Sequence, residues 1–112
     1  MLRRGAVDRI MEQSRIARES RLMDDLLREI AINGKVAYGL SEVQMALGYG
    51  AIDTLLICDE LLRAEREKGE IDTFLQAVEH SQGSIVVFST DFEPGQKLLA
   101  LGGIAALLRF RI

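Results

Sequence analysis

The sequence predicts an α/β domain, a central sheet with helices on both faces, and three observations carry that reading. Residues 54–58, Thr-Leu-Leu-Ile-Cys, form a compact apolar run after the threonine, and residues 85–88 are continuously apolar, the pattern of strands covered on both sides. The segments around them place apolar residues at helical spacing instead. Strands alternating with such helices stack into layers with the sheet in the middle. The third observation is size: 112 residues, 48% hydrophobic with a single proline, suffice for one domain that buries roughly two-thirds of its unfolded surface. There is no tryptophan and only 5% aromatic residues, so the core must be aliphatic.

Taken in order, residues 7–32 read as one long amphipathic helix. Met23, Leu26, Leu27, Ile30 and Ala31 form its apolar stripe, with an earlier patch at Val7, Ile10 and Met11. Asp24 and Arg28 are spaced for an ion pair, and Asn33 with Gly34 suits the helix end. The middle of the helix is polar, so its first turns are expected to project from the domain. Residues 35–38 allow a brief strand. Ser41 with Gln44 resembles a capping box, with Leu40 and Met45 as its staple, and the short helix it opens should stop near Gly48 and Gly50. After strand 54–58, Asp59 is expected to cap a helix ending at Gly69, and Asp72 to cap the next, with Phe74, Leu75 and Val78 buried and Gly83 at its end. Strand 85–88 follows, then a helix whose first turn holds Pro94 and which ends at Gly102 and Gly103. Residues 104–112 form the last strand. Read with period two, Ile104, Leu108 and Phe110 should be buried, while Leu107, Arg109 and Arg111 turn to the other face.

Charge is unevenly distributed. Residues 1–34 hold seven arginines against six acids, residues 35–93 four bases against eleven acids, and residues 94–112 three bases and no acid. That acidic centre argues against bulk nucleic-acid binding, which favours a basic domain. The longest apolar run, residues 98–108, contains two glycines and falls well short of the roughly 20 residues that span a bilayer. The lone Cys58 excludes an internal disulfide and fits a reducing cytoplasm. As the single histidine, His80 has no second imidazole with which to hold a metal. No phosphate-binding glycine pattern occurs. Neither catalysis nor a cofactor is therefore expected.

The end of the chain carries a family resemblance. Gly103-Ile104-Ala105-Ala106-Leu107-Leu108-Arg109-Phe110 resembles the C-terminal signature of the Pelota family, ribosome-rescue relatives of the archaeal and eukaryotic class I release factors. Arg4-Gly5-Ala6-Val7-Asp8, Ala37-Tyr38-Gly39, residues 50–63 (with Cys58-Asp59-Glu60-Leu61-Leu62-Arg63) and Pro94-Gly95-Gln96-Lys97-Leu98 match the family in the same order. The resemblance implies that residues 1–112 are a third, C-terminal domain and that residues 1–12 lead in from a preceding domain. It further implies a three-layer α/β/α sandwich with a small mixed sheet of about four strands, similar to the kink-turn-binding ribosomal proteins.

On function, the resemblance implies a cytoplasmic, monomeric, non-enzymatic docking domain. Its partners would be a translational GTPase resembling elongation factor 1-alpha, then the ribosome-recycling ABC ATPase, with the ribosome reached through the full-length protein. The matching segment of release factors is linked to GTPase binding, so Gly103, Leu107, Arg109 and Arg111 are the expected partner-binding residues. Two alternatives stand beside it. A class I release factor would tend to have Gly-Gly where Ala105 and Ala106 stand, Tyr at Phe110 and an insertion for which residues 60–81 leave no room. A structured-RNA-binding domain of the same fold would want bases in residues 39–44, where only the acid Glu42 is charged.

Overall fold

The computed structural model describes the backbone from Arg4 to Ile112 and side chains from Ser14 onward. The order is α1 (Arg4–Ala31), β1 (Val36–Tyr38), α2 (Leu40–Gly48), β2 (Ile52–Cys58), α3 (Asp59–Lys68), α4 (Ile71–His80), β3 (Ser84–Phe88), α5 (Glu93–Ala100) and β4 (Ile104–Leu108). The sheet runs β1-β4-β2-β3. β4 is antiparallel to both of its neighbours, whereas β2 and β3 are parallel and joined through α3 and α4. This is the mixed four-stranded sheet that the family resemblance implies.

Period-two alternation divides each inner strand between two cores. Leu55 and Ile57 of β2 and Ile104, Ala106 and Leu108 of β4 face Val43 and Ala46 of α2 and Ile71 and Val78 of α4. Leu56 and Cys58 of β2, Val86 and Phe88 of β3 and Ala105 of β4 face Met23 and Leu26 of α1 and Leu98 of α5. Helices thus cover both faces. Each fully buried Leu or Ile contributes about 1.5–3 kcal/mol relative to exposure, and the inner strands β2 and β4 bury such residues on both faces.

Several details of the helices differ from expectation. Gly39, not Ser41, occupies the N-cap of α2, and Ser41 lies inside the helix. Leu40 and Met45 are exposed rather than stapled. Cys58 caps α3, its Sγ accepting the Leu61 N–H at 3.4 Å. Glu70 holds the N-cap position of α4, leaving Asp72 in the first turn with an ion pair to Arg66. At the end of α4 the left-handed residue is Gln82, φ 67°, not Gly83. Gly83 is needed for space: a Cβ there would lie 2.9 Å from Val78 Cγ1. Arg28 pairs with Asp25 at 3.6 Å rather than with Asp24. Asn33, φ 57°, ends α1 as expected, with the Gly34 N–H donating to the Glu29 carbonyl at 2.8 Å. The patch at Val7, Ile10 and Met11 lies outside the described side chains.

Asp59 is free of capping because it serves another loop. Its Oδ1 accepts from Thr90 Oγ1 at 2.8 Å and from the Thr90 N–H at 3.2 Å, tying the start of α3 to the turn after β3. Burial by itself would raise the Asp59 pKa, but the Thr90 bonds, the Glu60 N–H and nearby Arg63 outweigh it and hold the carboxyl below its ordinary 3.8. A carboxylate with a lowered folded pKa stabilises above its unfolded value and loses that contribution as pH falls through the folded one. The stability gap between wild type and Asp59→Asn should therefore be constant near neutrality and shrink below about pH 4, as read from urea unfolding across pH.

Glu19 is the feature that the polar middle of α1 conceals. It is 1% exposed. Its Oε1 accepts the Ser89 N–H at 3.2 Å and Arg15 Nε at 3.3 Å. The Arg15 guanidinium also donates to the Val87 carbonyl at 3.3 Å. α1 is thus fastened to the end of β3 by polar bonds as well as by Met23 and Leu26.

Candidate partner-docking surface

The terminal strand stops sooner than its pattern suggests. β4 is antiparallel to β1, so its C-terminal end lies opposite the start of β1, where Val36 pairs with Leu107. The Leu108 N–H donates to the Lys35 carbonyl at 3.0 Å and the Arg109 N–H to the Ala51 carbonyl at 2.7 Å. Beyond that level the sheet offers no partner. Phe110 consequently leaves the strand and is 46% exposed, a correction to its expected place in the core.

Of the expected docking residues, two are turned inward. Gly103 is buried at φ 84°, and a Cβ on it would lie 3.1 Å from Leu61 Cβ and 3.2 Å from Cys58 Sγ. Its absent side chain lets the turn after α5 press against α3. Leu107 is half-buried against the core beneath α1 and α5. Both faces of β4 are covered by helices, so neither is the free docking face that alternation implied. Arg109 and Arg111 are exposed. Arg109 donates to the Ser81 carbonyl at 2.9 Å, satisfying an orphan acceptor at the C-terminal end of α4.

Arg111 lines a groove of about 610 Å³ between β1, α2 and the chain's last residues. Val36 and Ala37 form its floor, Met45 and Tyr49 one wall, Phe110 and Ile112 the other, with Glu42 and Arg111 as its charges. Met45, Tyr49, Phe110 and Ile112 are all about half exposed or more. Met45, read from the sequence only as a staple residue, and Tyr49, the C-cap of α2 that the reading did not select for docking, stand one turn apart and exposed while Val43 and Ala46 are buried. An apolar pair on a helix's second face was the available signal. Apolar walls with a charged rim match the composition of interfaces, whose core is apolar and whose rim is polar. Among the described residues no group of His, Cys, Asp or Glu could hold a metal, and no helix is long and apolar enough to cross a membrane.

Comparison with known proteins agrees with this architecture. The family described as eRF1 domain 3 matches residues 16–112. A protein pelota homolog of Methanococcoides burtonii is 68% identical over 112 residues, which is 100% of this chain and 32% of that protein. The crystal structure of Archaeoglobus fulgidus Pelota superposes with a TM-score of 0.89 at 53% identity, over 93% of this chain and 33% of that one. A model of ribosome-bound archaeal Pelota and ABCE1 matches at 0.80 and 49%, over 99% and 31%. Dom34 of S. cerevisiae, a translation termination-like factor involved in RNA quality control and interacting with Hbs1, matches at 0.78 and 35%, over 86% and 28%. The chain therefore spans about a third of the length of these relatives. With the matched family model, the ordered sequence segments and the mixed sheet all in agreement, this chain belongs to the eRF1 domain 3 family, among its Pelota members.

Proposed function

We propose that this domain is the protein-docking part of a cytoplasmic ribosome-rescue factor, non-catalytic and monomeric by itself, and that the groove beside β1 receives a translational GTPase. The 112 residues would be the C-terminal domain of a longer factor, with residues 1–12 leading in from the domain before it. The same domain would later meet the subunit-splitting ABC ATPase, and the rest of the protein would contact the ribosome. The observation that carries the reading is the groove's composition: Met45, Tyr49, Phe110 and Ile112 exposed together, with Arg111 beside them. Relatives interacting with Hbs1 and bound with ABCE1 on the ribosome support the choice of partners.

Among the expected docking residues, Arg111 lines the groove and keeps a direct role in this proposal, whereas Arg109 is committed to the Ser81 carbonyl. Gly103 and Leu107 would act through the strand they hold in place. Calorimetric titration of archaeal elongation factor 1-alpha tests the proposal. Tyr49→Ala and Phe110→Ala should each weaken binding by about tenfold or more, as aromatic anchors do, and Arg111→Glu by about fivefold through repulsion at the rim. Circular dichroism and unfolding midpoints of the three variants should stay near wild type. Unchanged affinities in all three would remove the groove from the interface.

A further inference from the structure

At the far side of the sheet from that groove, β3 forms the other edge. Its five residues, Ser84 to Phe88, carry no charge, no proline and no bulge, although open edges of this kind normally need protection. α1 supplies part of it. The Arg15 guanidinium donates to the outward Val87 carbonyl, and Glu19 accepts the outward Ser89 N–H two residues on. Those bonds occupy the two positions that a neighbouring strand would use there. By the same alternation, the N–H and C=O of Ile85 and the N–H of Val87 also point outward, and no described side chain bonds to them.

Beside this stretch runs a cleft of about 380 Å³ between α1 and β3, with exposed Arg15 and Arg18 on its α1 side and Val86 at its base. The two faces of the edge differ in chemistry. Val86 faces α1 and the arginines, while half-buried Ile85 and Val87 face the α4 side. A strand added to β3 would alternate its side chains between those two environments. One set would meet guanidinium groups, the other aliphatic carbon.

We propose that the β3 edge binds an extended segment of a protein partner in which acidic and apolar residues alternate. The backbone of the segment would pair with Ile85 and Val87 as an added strand. Its carboxylates would approach Arg15 and Arg18, and its apolar side chains would lie over Ile85 and Val87. This surface is separate from the GTPase groove, and the two would be occupied independently.

The probe is a short peptide of alternating Glu and Val with blocked ends, titrated into the isotope-labelled 112-residue chain and followed by amide resonances. Perturbation centred on residues 84–88, with slower exchange of the Ile85 and Val87 amides, is the expected result. Arg18→Glu, an exposed substitution that leaves the Val87 and Glu19 bonds in place, should weaken the peptide about fivefold, and Arg18→Lys should restore most of the loss. Equal binding of a Lys-for-Glu peptide would overturn the proposal. So would perturbations confined to residues 36–49 and 109–112, no perturbation at all, or a sedimentation result showing that β3 pairs with a second copy of the chain instead.

Discussion

Replacing Phe88 with Ala should cost about 3–5 kcal/mol of unfolding free energy, the range for emptying a buried aromatic site. Phe88 closes β3 with no exposed surface and packs among Met23, Leu26, Leu56 and Leu98, so α1, α5 and the sheet all lose contacts with it. Domains of this size are typically stable by only about 5–15 kcal/mol, and one such loss is a large fraction of the total. Phe110→Ala is the matching control. That ring is 46% exposed against the groove, and its removal should cost less than about 1 kcal/mol. Guanidinium unfolding of both variants measures the difference, and similar losses would contradict the placement of the two rings.

Gly95→Ala should also be damaging, though it would stabilise most helices. Gly95 lies in α5, where exchanging Gly for Ala ordinarily gains up to about 1 kcal/mol. Here a Cβ would run into the Ser89 carbonyl, with the Thr90 nitrogen 3.0 Å away. Those are backbone atoms in the turn that Glu19 and Asp59 both hold, so neither side can yield cheaply. Overpacking of this kind costs about 1–3 kcal/mol and sometimes more, and the expected change is a loss near the upper end. Gly48→Ala provides the contrast, since its Cβ would meet nothing within 4 Å and should be neutral or slightly stabilising. A thermal midpoint for Gly95→Ala at or above wild type would show that the turn can move.

What the sequence disclosed and what it concealed follow from the range of each interaction. Apolar runs and helical spacing are local, so all four strands and the five helices were legible, and ordered family segments identified the chain. Caps were less legible. Asp59 has the chemistry of a cap but is claimed by Thr90, which is distant in sequence, and the neighbouring Cys58 sulfur takes the position instead. Phe110 was misplaced because alternation says which way a side chain turns only while the sheet continues. Glu19 was hidden among polar neighbours that are solvated, its own burial being set by Ser89 on another element. In the groove, Arg111 was visible as exposed charge, whereas Met45 and Tyr49 became meaningful only once the chain's last residues were seen beside them.

The strand order has a consequence for the time course of folding. β4 is the last strand along the chain, yet it lies between β1 and β2. β2, α3, α4 and β3 form a contiguous parallel unit that can assemble from neighbouring residues. β1 cannot join any sheet until β4 arrives, because Val36 pairs with Leu107, closing a loop of about 70 residues at an entropic cost of roughly 4 kcal/mol plus a constant. The chain must hold β1 in reserve while everything between is made. Folding is thus expected to be comparatively slow, as it is for distant pairings in general, and to finish in one late step that joins β1 to β4.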